Sequence, residues 1–265
     1  MGKEISLLDI PWNDIFVPII MPMLKLKDCF NLRCVSKDFL ALIDMYFNNM
    51  KILKIINNHS FPTKSFKVLS SSCYNLRVLN FVKSSFLTNE LLVPLLDVNS
   101  HLVNVNLSQC KNLTSTSLQP IILNSLNLKV LKLEKCNWLT TGALETLTLH
   151  QNSLEEVDLS HCTLLSDSCI ILLLKKFQNL RKISLQGIPQ VGDTCMLAIS
   201  KSNKLLQHLN IAGCVEITDK GIRAVTASCA HLECIACRNC PNVTEKSLSP
   251  IRGRIMLDRN RPRMH

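Results

Sequence analysis

The sequence predicts an α/β solenoid, and three observations carry that expectation. One nine-residue pattern recurs at a fixed spacing. Apolar residues alternate inside each copy. A second apolar spacing, typical of helices, follows each copy at a constant distance. The copies read LVNVNLSQC from residue 102, LKVLKLEKC from 128, LEEVDLSHC from 154, LRKISLQGI from 180, LQHLNIAGC from 206 and LECIACRNC from 232. LRVLNFVKS at 76 and the more divergent MKILKIINN at 50 extend the series backwards, and every start lies 26 residues from the next. Eight copies in one register define a repeat array, in which each unit is one supersecondary element that buries its faces only by stacking on its neighbours.

Within a unit, the fourth and sixth positions are apolar: Leu79, Val105, Leu131, Val157, Ile183, Leu209 and Ile235, then Phe81, Leu107, Leu133, Leu159, Leu185, Ile211 and Cys237. Apolar residues two apart, with polar ones between, predict a short strand with one buried face. Twelve residues after each start stands Thr88, Thr114, Thr140, Ser166, Gly192, Thr218 or Thr244. A hydroxyl there can cap a helix, and Asp167, Asp193, Asp219 and Glu245 follow where a helix dipole favours acids. Apolar pairs three apart, such as Leu144 with Leu147 and Ile222 with Val225, then mark a helix face. Parallel strands are expected to line the inside of a curve, with helices outside.

The array assigns places to most of the 13 cysteines. Cys110, Cys136, Cys162, Cys214 and Cys240 share the ninth position, where the chain leaves the strand and turns inward. Cys169 and Cys195 share a helix position with Ala143 and Gly221. Cys73 and Cys229 precede strands, Cys237 replaces a core leucine, and Cys234 is expected to point outward. Buried thiols act as small hydrophobes with a weak donor. Two chemical readings therefore fall away. Cys234, Cys237 and Cys240 have zinc-like spacing but diverge on the grid, so no metal is expected. Cys162 beside His161 looks like a nucleophile with a base, yet Cys162 is a ladder position and His161 should face solvent. An odd number of cysteines in a long chain also fits a reducing compartment; the four Asn-x-Ser/Thr sequons would then go unused.

Other classes find little support. With 47 % apolar and 19 % charged residues the chain should be globular. Seven glycines leave few candidates for phosphate-cradling loops, and no cofactor is expected. The longest greasy run, residues 15–24, is short for a bilayer and is interrupted by Pro18 and Pro22. The opening MGKEIS matches a loose N-myristoylation pattern, read as chance, and no membrane role is expected. The net charge of +10 permits an acidic partner, but aromatics at 5 % and no aromatic column argue against nucleic acid.

Residues 1–48 lie outside the grid. Helical spacing runs through residues 8–43 with breaks at Pro11, Pro18 and Pro22, and Leu32, Val35, Phe39 and Leu42 are expected on one helix face. Bottom-up, this is a helical cap on residues 49–252, the solenoid. Residues 253–265 form a basic tail with Arg254, Arg259, Arg261 and Arg263, in which IMLD (255–258) is a candidate closing strand.

On the inner face the outward positions are the second, third, fifth, seventh and eighth of each unit. Lys129, Lys132 and Lys135 stand on one rung, Glu155, Glu156, Asp158 and His161 on the next, Arg181 and Lys182 on the third. Glu155 is expected between Lys129 and Arg181, and Asp158 beside Lys132. These nine residues are the candidate substrate-binding stripe, since a concave sheet is the usual recognition surface of a solenoid; the alternative is a set of cross-rung ion pairs on a solvated face, which would barely affect stability.

The repeats resemble the cysteine-containing leucine-rich-repeat pattern, over residues 50–252. The segment before them resembles an F-box. Ile10 and Pro11 match its Leu-Pro start. Ile15, Ile20, Leu24 and Leu26 match its apolar positions, and Val35, Ser36, Lys37 and Phe39 match its Val-Ser-Lys/Arg-x-Trp close. Asn13-Asp14 replaces the usual Glu, and Phe39 the usual Trp. The order of the two segments resembles the F-box/leucine-rich-repeat family. That resemblance implies a non-catalytic substrate receptor of a Skp–cullin–F-box ubiquitin ligase in the cytoplasm or nucleus. Ile10, Pro11, Ile15, Ile20, Leu24, Leu26 and Val35 would dock on the Skp adaptor, which links to the cullin–RING scaffold, while the repeats hold a protein substrate. The alternative is a leucine-rich-repeat scaffold with no ligase role.

Overall fold

The computed structural model describes residues 10–258. The candidate acylation site at Gly2 and the arginines at 259, 261 and 263 lie outside that span. The chain begins with a widened helical segment, Trp12–Ile20, in which the Pro11 carbonyl accepts from both Ile15 and Phe16 at 3.1 Å. Pro18 sits inside it and supplies no N–H, which favours a loosened hydrogen-bond pattern. A single 3₁₀ turn, Met21–Met23, leads to two extended residues, Leu24 and Lys25. Helices α1 (Leu26–Arg33) and α2 (Lys37–Asn49) follow, tied by an ion pair between Arg33 and Asp44 at 2.9 Å.

The helix face expected over Leu32, Val35, Phe39 and Leu42 is divided in the structure. The Ser36 hydroxyl accepts from the Phe39 amide at 3.2 Å and starts a new helix. Leu32 therefore belongs to α1, Phe39 and Leu42 to α2, and Val35 falls in the link, 64 % exposed. Capping chemistry outweighed the apolar spacing there.

Nine short strands among the described residues form one parallel sheet in chain order: β1 (Ile52–Lys54), β2 (Val78–Asn80), β3 (Asn104–Asn106), β4 (Val130–Lys132), β5 (Glu156–Asp158), β6 (Lys182–Ser184), β7 (His208–Asn210), β8 (Cys234–Ala236) and β9 (Met256–Asp258). Ile52 faces Val78, Val78 faces Asn104, and each later rung repeats that 26-residue step up to Cys234. β9 closes the sheet with a shorter step, Met256 facing Cys234. Helices α3 (Thr63–Ser72), α4 (Asn89–Asp97), α5 (Gln119–Asn124), α6 (Thr141–His150), α7 (Asp167–Lys176), α8 (Asp193–Ser202), α9 (Asp219–Ser228) and α10 (Glu245–Leu248) alternate with the strands. One continuous apolar core runs from Phe16 to Ile255.

Three hydrogen-bond columns fix the repeat. At the eighth position, Asn57, Lys83, Gln109, Lys135, His161, Gly187, Gly213 and Asn239 all adopt positive φ, between 54° and 73°. Left-handed backbone costs an L residue about 1–2 kcal/mol. The geometry persists because it keeps the amide in the sheet's ladder: His161 N donates to Gln186 O at 2.7 Å, and Lys135 N to Ser160 O at 2.7 Å. At the ninth position, the Cys110, Cys136, Cys162, Cys214 and Cys240 thiols donate to the carbonyls of Phe81, Leu107, Leu133, Leu185 and Ile211 at 2.9–3.3 Å. Ser84 does the same to Ile55 at 2.7 Å. Beneath the helix ends, buried Asn99 donates to Cys73 O and accepts from Leu76 N, and Asn203 donates to Phe177 O.

The hydroxyl column caps α6, α7, α9 and α10 through Thr140, Ser166, Thr218 and Thr244. The acids after it do more than complement a dipole. Asp193 accepts from the Thr218 amide and hydroxyl at 2.9 and 2.6 Å, and Asp219 from those of Thr244 at 2.7 and 2.6 Å. Each carboxylate thus clamps its own helix to the next unit. At Asp219 desolvation opposes the charge, but hydrogen bonds from Ser247 and Thr244 outweigh it and hold the carboxyl below its ordinary range.

Candidate protein-interaction surfaces

The charged stripe sits on the inner face over β4, β5 and β6. Lys129 Nζ meets Glu155 Oε1 at 2.8 Å, and Arg181 Nε lies 4.0 Å from Glu155 Oε2. The partner expected for Lys132 was Asp158, which is its register neighbour. The structure places Lys132 Nζ on Glu156 at 2.5 Å instead. Asp158 folds back on its own chain, accepting from the amide and hydroxyl of Ser160 at 2.9 and 2.6 Å. This is a local turn, and Asn106 and Asn210 make the same amide contact two residues on. Lys135 pairs with Glu134 at 3.0 Å, a carboxylate outside the candidate set. Lys182 stands opposite Glu156 on the next rung.

The seventh position was expected to face outward. Ile56 and Arg238 do so and Glu134 and Gln186 are half-buried, whereas the small side chains of Ser108, Ser160 and Ala212 are buried. His161, at the eighth position, is half-buried. Its ring lies against Gly187, where an added Cβ would come within 2.5 Å of Nδ1. Over β5 to β8 the stripe borders a shallow hollow of about 260 Å³, lined by Glu156, Lys182 and His208 among others.

Cys162 does not serve these charges as a nucleophile. Cys162 is fully buried, its thiol is committed to Leu133 O, and burial pushes its pKa up to about 12. Cys237 and Cys240 are buried while Cys234 is half-buried. The cysteine expected to be most open was Cys234; the structure gives that place to Cys34, at the end of α1, which the repeat grid does not cover.

The helical segment presents a second surface. Among the seven candidate docking residues, Pro11, Ile15 and Val35 are exposed, Ile15 by 40 %. Ile10, Ile20, Leu24 and Leu26 are half-buried and pack against the core. Sequence reasoning missed Ile19 and Met23, which are 58 % and 81 % exposed. Leu24 and Leu26 do not join that open patch. They line a groove of about 860 Å³ between the helical segment and β1, with Phe30, Tyr46, Ile52 and Phe61. Among the described residues no helix is long and apolar enough to cross a membrane.

This architecture defines a class. A parallel sheet in strict register, with helices outside and a cysteine ladder within, is a leucine-rich-repeat solenoid. Two solved structures share it. A chain of the Rad7–Elc1 complex from yeast matches with a TM-score of 0.68 and 21 % identity, covering 84 % of this chain and 57 % of that one. Internalin C2 from Listeria monocytogenes matches with a TM-score of 0.50 and 14 % identity, covering 89 % of this chain and 91 % of that one. This chain thus spans little more than half the length of its Rad7–Elc1 counterpart. No family model matches the sequence.

Proposed function

We propose that this protein is the substrate-binding subunit of a Skp–cullin–F-box ubiquitin ligase. Its helical segment docks on the Skp adaptor, which connects to a cullin–RING scaffold, and its repeats hold a protein substrate. The chain contributes no catalytic group of its own. It acts in the cytoplasm or nucleus by proximity, because holding a target lysine near a charged conjugating enzyme makes transfer effectively intramolecular. One observation carries the reading: Ile15, Ile19, Met23 and Val35 form exposed apolar surface on the segment that resembles an F-box. Several large apolar groups left in water along one short segment support an interaction face there. The likeness to a chain solved in the Rad7–Elc1 complex supports a partner-bound role for a solenoid of this shape.

The experiment is co-purification with the Skp adaptor and cullin. Pro11→Ala with Ile15→Asp should abolish it while thermal melting of the repeats stays in place, since an unpaired acid at an apolar interface costs several kcal/mol, about 2–7. Unchanged adaptor binding by the folded double variant would refute the docking reading and leave a leucine-rich-repeat scaffold without a ligase role.

A further inference from the structure

β1 is the first strand of the sheet, and among the described residues nothing pairs with its outer edge. The direction of its hydrogen bonds follows from its contacts with β2. Lys51 O accepts from Arg77 and Val78, Ile55 N donates to Asn80 O, and Asn57 N donates to Val82 O. Odd-numbered residues therefore serve β2. By the alternation of a parallel strand, the N–H and C=O groups of Ile52, Lys54 and Ile56 turn the other way. The groove of about 860 Å³ is lined by residues 52–56, in and just after this strand, and by the extended residues Leu24 and Lys25.

The groove is greasy inside and basic at the rim. Ile52 and Ile56 are 50 % and 46 % exposed, beside half-buried Phe30 and Phe61. Lys25, Lys27 and Lys54 line it, and Lys51, Arg77 and Lys83 are exposed on the first two rungs. Residues 15–27, 50–58 and 76–84 contain no Asp or Glu. The contrast with β4–β6 is sharp, because there nearly every cation meets a carboxylate. An unpaired strand edge, an apolar trough and a one-signed rim are the three parts of a strand-addition site.

We propose that the outer edge of β1 and this groove form a docking slot for an extended acidic segment of a partner protein. The segment adds to the sheet as a tenth strand. Its backbone pairs with Ile52, Lys54 and Ile56, alternate apolar side chains enter the trough, and its carboxylates meet Lys25, Lys27 and Lys54. The slot is separate from the charged stripe, and it does not require the adaptor contact, so it stands or falls apart from the ligase reading.

The test uses the full chain without any adaptor and a fluorescein-labelled nonapeptide alternating Glu or Asp with Leu or Val. Anisotropy should show saturable binding that weakens as salt rises. Amide exchange at Ile52, Lys54 and Ile56 should slow on binding. Methylating alternate peptide amides, which removes strand pairing and keeps the side chains, should cost at least about tenfold in affinity. Lys25→Glu with Lys54→Glu should weaken binding by about tenfold or more at low salt and by less at high salt. The methylated-peptide arm uses the unaltered protein, so misfolding of the double variant would not blur the result. Three results would overturn the proposal: no binding at millimolar peptide, equal binding of the methylated or an all-Lys peptide, or displacement of the peptide by tighter-binding oligouridylate, which would make the basic rim a nucleic-acid contact.

Discussion

Replacing Gly187 and Gly213 by alanine, one at a time, separates backbone strain from crowding in the left-handed column. Both glycines have positive φ, 64° and 73°. At Gly213 an added Cβ would meet the Gly187 Cα at 3.6 Å, an ordinary contact. Its cost is then conformational: about 1–2 kcal/mol for a left-handed L residue, less about 0.4–1 kcal/mol returned by restricting the unfolded chain. Gly213→Ala should therefore destabilise by about 1 kcal/mol. Gly187→Ala carries the same term plus a clash, since its Cβ would lie 2.5 Å from His161 Nδ1 and 2.7 Å from Cε1. Moving a half-buried ring costs on the order of 1–3 kcal/mol, so the total should reach about 2–4 kcal/mol. In a His161→Ala background the excess should vanish, which gives a coupling of about 1–3 kcal/mol. Urea unfolding followed by circular dichroism measures all four corners of that cycle. If Gly187→Ala costs no more than Gly213→Ala, or the coupling is below about 0.5 kcal/mol, His161 does not pack on Gly187 and the account of the turn fails.

Three further outcomes are expected. A maleimide reagent should label Cys34 first and Cys136 and Cys162 only on unfolding, read by mass spectrometry of the native protein; fast labelling of Cys162 with the fold intact would restore a nucleophile reading. Burial raises the thiol pKa values to about 11 at Cys110 and about 12 at Cys73, Cys162 and Cys214. A raised folded-state value means the stability is complete below the unfolded thiol pKa, about 8.5, and is lost as pH rises toward 11–12. Urea midpoints should thus fall steadily above about pH 8.5, and a flat profile to pH 10.5 or so would contradict the buried ladder. Glu155→Gln, Glu156→Gln and Asp158→Asn together should change stability by only about 1 kcal/mol, because partly exposed ion pairs such as those of Glu155 and Glu156 contribute little and an asparagine in place of Asp158 can keep the Ser160 amide contact, as Asn106 and Asn210 keep theirs. The same triple variant should weaken substrate capture, most at low salt, and undiminished capture would remove these acids from the recognition face.

The repeat was legible because its signal is redundant. One apolar pair predicts little, but the same pair at Leu131, Val157 and Ile183 in a common register fixes the strands, their order and their inner face. The left-handed column was not legible for the opposite reason. Lys83, Gln109, Lys135 and His161 share no side-chain chemistry, and only Asn57, Gly187, Gly213 and Asn239 hint at the backbone they all adopt. What selects that position is an amide kept in the ladder, which no residue type encodes. The helical segment lacks redundancy altogether. One serine, Ser36, decided that two helices and not one cross residues 26–49. Charge pairing fell between these cases. The rung of each carboxylate could be read, yet Asp158 turned to Ser160 because a contact two residues away is cheaper in chain entropy than one across the sheet.

The ladder that fixes the register also sets how the molecule would yield to a pull. Its inter-strand hydrogen bonds run from rung to rung, along the direction in which the units stack. Tension between the two ends therefore loads them one set at a time, as in a zipper, and not all together, as when strands are sheared past each other. No single rung protects the others. Under such a load the solenoid should peel unit by unit. Each release would free 26 residues, about 90 Å of extended chain, so that length would be given up in equal, countable steps.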